Sequence, residues 1–558
     1  MNRLEFSRGQ SKSPGKLILI FSLFVVPLTL CNAAANSKKL PMVATWQRFE
    51  QSFKSKVSYT NALQDATLSV MFTSPSGEAT RVDGFWDGEK TWRVRFSPNQ
   101  PGKWSYQTSC SDAANTNLHN QTGEFLCTAI LGNSRFNLHG PVRVASDHRH
   151  LEHADGTPFF WLADTVWNGA QRAPLRDWQV YVGVRTLQKF TVAQWVAAPG
   201  VDVKKQTAFT GRERIAVNPD FFQRLDEKTD ALNRVGILSA IVPLWEIDSS
   251  GTNTVEALPE DQAILLLRYQ VARWGANNIV WMLTCEGDAV GKNVDRWKRV
   301  GRTVFGEGPH APVLLYPGET HWVLDALRPE TWIDLLGYQS GQDVSEDTLK
   351  WMVAGPFQND WKKEPFRPFI NVAPPYENEP SIHSKEQTGP ESVRRALYWS
   401  LLNMPTTGVS YGSYGVRNWS EETEPKNKSS KNKLPLWHKS LFLPAANQMA
   451  TLSDFFNSID FWRLRPAPEL VANQPGHKEP RRFIAAARTE SKDVTVVYVP
   501  EDRTVDLRLE AFPPSHSAVW INPRTGEHSS AAVVVGERSC KFSTPNSGDW
   551  LLVIKASK

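Results

Sequence analysis

The chain has 558 residues, more than one hydrophobic core supports, so about two to four domains are expected. Its composition, 41% hydrophobic and 22% charged, is that of an ordinary globular protein and excludes a mainly disordered one. A net charge of +5 with dispersed bases excludes a nucleic-acid footprint.

Residues 1–35 read as a secretory leader rather than as fold. Arg3, Arg8, Lys12 and Lys16 precede the apolar run LILIFSLFVVPLTL, and Ala33-Ala34-Ala35 offers a small-residue cleavage site. Export to the periplasm or medium follows as the expectation. No later run approaches ~18 apolar residues, so no membrane contact beyond the leader is expected. The exported chain would keep Cys110, Cys127, Cys285 and Cys540. Cys110 and Cys127 flank one predicted hairpin, and an oxidising compartment permits them to pair.

Residues 40–130 carry short alternating strands separated by turns such as Pro75-Ser76-Gly77, Trp86-Asp87-Gly88 and Gln100-Pro101-Gly102. That spacing predicts a β-sandwich. The pieces WQRFEQSF, GFWDGEKTWRVRFSPNQPGKWSYQTSCSD and TGEFLC resemble the DUF5060 domain that precedes many bacterial apiosidase-like (DUF4038) catalytic domains.

Residues 136–465 show an eightfold strand–helix alternation, which predicts a parallel (β/α)8 TIM barrel. The predicted strands begin with the segment Phe159–Ala163, which runs into Asp164. FTVAQWVAA, ILSAIVPLWE, NNIVWMLTCE, APVLLYP, WIDLLGYQSG, RPFINVAPPYE and GVSYGSYG follow. Helical spacing with a glycine stop, as in FFQRLDEKTDALNRVG before the third strand, fills the gaps. The segment Trp161-Leu162-Ala163-Asp164-Thr165-Val166-Trp167 resembles the W-x-G-D-T-x-W opening of the apiosidase-like family, with Ala163 where the family has glycine.

Beyond residue 468, strands such as DVTVVYVP, HSAVWINPRTGE and DWLLVIK predict a small all-β domain over 468–558. Its Trp520–Gly526 stretch and its Gly548-Asp549-Trp550-Leu551 ending look like a module named for collagen binding. The name comes with the module, and no residue here points to collagen.

Chemistry in a barrel of this kind gathers where the strands end. The expected set is Asp164, Trp167, Trp195, Trp245, Glu246, Asp248, Glu286, Asp288, Tyr316, His321, Gln339, Asn371, Tyr376, Glu377, Tyr411 and Tyr414. Aromatics stack on sugar rings, amides and acids bind hydroxyls, and a carboxyl pair cleaves the bond. The expected partner is therefore a poly- or oligosaccharide. No cofactor and no metal are expected, since no metal-ligand spacing, phosphate loop or nucleophile elbow occurs.

The resemblance implies roles for two carboxyls. Glu286, ending the fourth strand, matches the acid/base place, with Glu for the family's Asp. The family's second acid lies in a G-E-P-x-Y-E pattern, here Val372-Ala373-Pro374-Pro375-Tyr376-Glu377, so that Ala373 replaces it. A methyl group does neither acid nor nucleophile chemistry. Either Glu377 or a third-strand acid takes the role, or one carboxyl works with water or a neighbouring group, or the barrel binds glycan without cleaving it. The leading expectation is an exported glycoside hydrolase acting on a plant or algal polysaccharide. The alternative is a non-catalytic carbohydrate-binding or scaffold protein.

Each site residue also has a purely structural reading. Asp164 is able to orient the first loop, Glu246 to face solvent, Glu377 to hold Tyr376 or an arginine, and His321 to sit in a loop. The sugar, the linkage, the stereochemical outcome and the oligomeric state are left open by the sequence.

Overall fold

A computed structural model of the chain describes residues 39–245, 258–285, 292–322, 324–380, 387–421, 435–501, 503–513 and 515–557. The expected leader, and with it export, lies outside these residues.

The first domain is a sandwich of a five-stranded and a three-stranded sheet. Phe49, Phe72, Phe96, Trp104 and Phe125 fill the space between them, with Phe72 stacked on Phe96 at 4.2 Å. The expected Cys110–Cys127 disulfide is corrected here. Strand Gly102–Cys110 pairs antiparallel with Thr122–Thr128, and Cys127 faces Gly102. Cys110 lies eight residues further along its strand, about 26 Å away at 3.3 Å per residue. Both thiols are free and buried. The hairpin exists, but the two cysteines occupy opposite ends of it.

The central domain is a closed barrel of eight parallel strands. In order they are Trp161–Thr165, Val192–Val196, Leu238–Val242, Ile279–Cys285, Val313–Pro317, Leu335–Tyr338, Phe369–Asn371 and Gly408–Gly412. Each falls within a segment expected from the sequence, apart from the first, which ends one residue past Asp164 at Thr165. The intervening helices have ordinary stops and starts. Asn218 caps Pro219–Arg234 by accepting from the Phe221 N–H, and Gly236 follows its end with φ +84°.

One set of side chains from each strand fills the barrel. Trp161, Ala163, Val192, Val196, Ala240, Val280, Met282, Leu314, Tyr316, Leu335, Ile370 and Val372 form one apolar cluster. The alternate residues pack outward on the helices, among them Leu162, Trp195, Ile241, Trp281, Leu315, Tyr338 and Tyr411. Both faces of these strands are buried, so this in–out alternation leaves no mark in the sequence.

The last domain pairs a six-stranded with a three-stranded sheet over Trp520, Phe542 and Leu552. Both flanking domains are fixed to the barrel through buried charge. Asp226 of the barrel accepts from Arg95 of the sandwich at 2.7 Å, and from Arg273 and Trp274. Burial opposes the Asp226 charge, but Arg273 and Arg95 outweigh it and hold the carboxyl below its ordinary pKa. On the other side, Arg394 grips Asp549 of the last domain through two hydrogen bonds of 2.8 Å. Tyr398 stacks on Tyr498 across the same boundary at 4.9 Å.

Candidate active site

The floor of the site is a polar brace inside the barrel. Gln194 faces inward from the second strand and is fully buried. Its amide donates to Thr165 Oγ1 at 3.2 Å and to the Val372 carbonyl at 3.1 Å, and its oxygen accepts from the Ser410 hydroxyl. It thus ties the first, seventh and eighth strands together. Being the one amide in the run FTVAQWVAA, it left a signal in the sequence that the expected site did not use.

Above this brace, Trp167 and Trp245 meet edge to face, ring centroids 5.2 Å apart at 62°. Both are half-buried and pack on the barrel interior. They come from the loops after the first and third strands, as expected. An aromatic pair at the rim of a barrel presents a rigid apolar surface there.

The loops after the sixth, seventh and eighth strands are joined by Arg417. It donates to Gln342 at 2.8 Å and to Glu379 at 3.0 Å, and its guanidinium lies over Tyr376 and Tyr414 at 5.2 and 5.4 Å. Of this group only Tyr376 and Tyr414 were expected. Arg417 and Glu379 come together through the closure of the barrel, which no local spacing announces. Gln339 fastens the fifth-strand loop, its amide donating to the Pro317 carbonyl at 2.9 Å. Tyr316 faces the barrel interior.

Four expected residues turn away from the mouth. Asp164 is fully buried and points to the helix layer, where Arg185 Nε donates to it at 2.7 Å. Burial raises its carboxyl pKa, and Arg185 opposes that rise. Asn371 also faces outward, its amide donating to Ser340 and Ser400, both at 2.9 Å. Tyr411 packs among the outward residues beside Phe190. Glu377 is 1% exposed, with both carboxylate oxygens engaged. Oε1 accepts from the Ala445 N–H at 2.9 Å, and Oε2 from the Ala446 N–H at 3.2 Å and the Tyr411 hydroxyl at 2.7 Å. Ala445 and Ala446 open the helix Pro444–Asn457, so Glu377 caps its positive end. Alternation along fully buried strands explains the first three. A helix remote in sequence claims the fourth.

Trp195 is a fifth expected residue that packs outward, on Trp274. His321 is exposed, with its ring nitrogen bonded to the Glu319 carbonyl within its own turn. Ala373 is buried. Glu246 and Glu286, with Asp248 and Asp288, lie outside the described residues. Among the described residues no three His, Cys, Asp or Glu side chains gather as a metal site.

Comparison with known proteins follows this geometry. The family model described as an apiosidase-like catalytic domain matches residues 145–463, more than half of the chain. DUF5060, a domain of unknown function, matches residues 42–111, and a model named for the collagen-binding domain of a collagenase matches residues 466–555. No curated protein matches the sequence. Among the solved structures that share the fold are the following three. One, called a glycoside hydrolase, has a TM-score of 0.65 at 20% identity over 76% of this chain and 99% of its own. A family 5 glycoside hydrolase from Bacteroides vulgatus ATCC 8482 gives 0.65 at 20% identity, covering 76% and 95%. Another protein of that organism, classed among glycoside hydrolases, gives 0.68 at 19% identity, covering 93% and 100%. At these identities the likeness shows the fold alone.

Proposed function

Because the chain belongs to the apiosidase-like catalytic family, with more than half its length matched, we propose that it is an exported glycoside hydrolase of plant or algal polysaccharide. The observation that carries this reading is the Trp167–Trp245 pair at the carboxyl-terminal rim of the barrel, in the place where sugar rings would stack.

Glu286 is the proposed general acid. What supports it is its place in the sequence, directly after the fourth barrel strand Ile279–Cys285, where the apiosidase-like family keeps an acid. A carboxyl there would protonate the leaving oxygen of the glycosidic bond. Glu377, committed to the helix Pro444–Asn457, is not proposed as its partner. Glu379 is the proposed second carboxylate, two residues further along the same loop. What supports it is Arg417, which ties it into the rim from the eighth-strand loop. On this reading one carboxyl donates the proton, and the other receives either the sugar carbon or the proton of an attacking water.

The experiment is digestion of a panel of plant and algal polysaccharides with purified protein, read as new reducing ends. Parent activity with a loss of kcat by about 100-fold or more in Glu286→Gln, and little change in KM, supports the assignment. Equal activity of Glu286→Gln overturns it. The methyl group of Ala373 and the engaged carboxylate of Glu377 favour a second reading, a barrel that holds glycan without cutting it. That reading wins if no glycan is cleaved, glycans bind, and Glu286→Gln binds them equally. Export is supported by the leader pattern. Mass spectrometry of exported protein is expected to find an N-terminus near Ala34 to Asn36, and an intact Met1 would contradict it.

A further inference from the structure

The tryptophan pair at the rim hangs on one short segment of chain. Val196 ends the second barrel strand, and Ala197, Ala198 and Pro199 follow it at the carboxyl-terminal end of the barrel. The Val196 N–H donates to the Trp167 carbonyl at 3.0 Å, and the Ala198 carbonyl accepts from the Trp245 N–H at 2.7 Å. Both tryptophans are thus pinned, through their backbones, to the same four residues. Each is only half-buried, so the backbone beneath it does much to decide where its ring stands.

The shape of the segment is set by Gln171. This residue is 5% exposed and belongs to the short helix Gly169–Arg172 that follows Trp167. Its Nε2 donates to the carbonyls of Val196 at 3.1 Å, Ala197 at 3.2 Å and Pro199 at 3.1 Å. An amide nitrogen carries two N–H groups, so one of them is shared between two carbonyls. Successive carbonyls of an extended chain point to opposite sides. Here those of Val196 and Ala197 meet at one nitrogen, so the chain is bent around the amide. The Ala198 carbonyl, which the amide skips, is the one that receives Trp245.

Two further contacts fit the segment to this side chain. The Gln171 carbonyl accepts from the Val203 N–H at 3.0 Å, which returns the loop to the same residue. At Gly200 a methyl group would stand 1.8 Å from Gln171 Oε1. Ala197 and Ala198 have no exposed surface, so water is not at hand to replace the amide, and buried carbonyls without donors are costly.

We propose that Gln171 is the positioning residue of the tryptophan pair: it fixes the bend of Val196–Pro199 and thereby the stance of both rings toward a sugar. It acts through the loop, touches no reacting atom, and governs binding rather than cleavage. This rests on the reading of the pair as the place where sugar rings stack.

The test uses the full chain in two variants that break the brace from opposite sides. Gln171→Met keeps length and bulk but removes both donors. Gly200→Ala keeps the amide and pushes it off its carbonyls. With fluorotryptophan in place of the 22 tryptophans, Trp167→Phe and Trp245→Phe assign the two rim signals in fluorine NMR spectra. Both brace variants are expected to shift or broaden those two signals with no glycan present. Affinity electrophoresis in gels of xyloglucan, galactomannan, arabinoxylan or laminarin is expected to show binding weakened about tenfold in both. On a polymer that is cleaved, KM is expected to rise about tenfold while kcat stays within about threefold. Asp226→Asn, which weakens the sandwich joint, is the control for lost stability alone and is expected to keep the parental KM.

Rim signals at parental positions in both brace variants overturn the proposal. So do parental affinity in both, a loss of kcat at unchanged KM, or an equal rise of KM in Asp226→Asn. A parent chain that no polymer retards, and that releases no reducing ends, overturns the sugar reading of the barrel instead. The fluorine signals then still decide whether Gln171 sets the pair.

Discussion

Glu377 and Tyr411 meet at 2.7 Å on the helix side of the barrel, the hydroxyl donating to the carboxylate. With the Ala445 and Ala446 amides on the same two oxygens, the carboxylate ends a helix rather than facing a sugar. Gln at this position would keep one acceptor and turn an NH2 group toward donors. Glu377→Gln is expected to lower stability by about 1–3 kcal/mol, seen as an earlier urea midpoint. On a confirmed substrate its kcat is expected to stay within threefold of the parent, whereas Glu379→Gln is expected to lose it. A Glu377→Gln protein of parental stability and 100-fold lower kcat would return the catalytic role to this residue.

The joint between the sandwich and the barrel turns on Asp226, which holds Arg95, Arg273 and the Trp274 indole at once. Asp226→Asn leaves two buried guanidinium groups short of their counter-charge. The expected cost is about 3–5 kcal/mol, measured by chemical unfolding. A loss under about 1 kcal/mol would mean that Asp87 and Glu50 alone satisfy the two arginines.

The separation of Cys110 and Cys127 predicts two unmodified thiols in this hairpin, even in protein purified from an oxidising compartment. Thiol labelling in denaturant, with no reductant, followed by peptide mass spectrometry is expected to tag both. A linked Cys110–Cys127 peptide would contradict the strand register.

His153 gives the structure a defined acid weakness. Its Nδ1 lies 2.8 Å from the Gly140 carbonyl, a bond that the neutral ring makes as donor. Burial, aided by Arg135 and His139, lowers its pKa from 6.5 to about 4 against the opposing pull of Gly140 and Asp155. Between those values the unfolded chain binds the proton and the folded chain does not, so stability rises with pH across the window. It is fully present above pH 6.5 and fully lost below about pH 4. The loss amounts to about 3 kcal/mol at 1.36 kcal/mol per unit. His153→Asn is expected to flatten this slope in unfolding titrations, and an unchanged slope would assign the acid sensitivity elsewhere.

All eight barrel strands were legible because each is a short apolar run between turn signals, and both flanking β domains because their strands alternate. Trp167 and Trp245 were legible as rim residues because each follows a strand by only a few positions. The facing of Asp164, Asn371 and Tyr411 was not, because a strand buried on both sides shows no polarity to tell inside from outside. Nor was the capping role of Glu377, since its partners Ala445 and Ala446 come from a helix whose approach depends on the closed barrel. The pairing of Arg417 with Glu379 was hidden for the same reason.

The grip of Arg394 on Asp549, backed by the Tyr398–Tyr498 stack, has a bearing on how the last domain works. Modules joined by loose tethers sweep a volume and sample many distances. This one is riveted, with its heading set by a helix of the barrel itself. Whatever it holds would stand at one fixed distance and bearing from the rim tryptophans, so the protein would meet a long polymer as a caliper does, at a set gauge rather than by search.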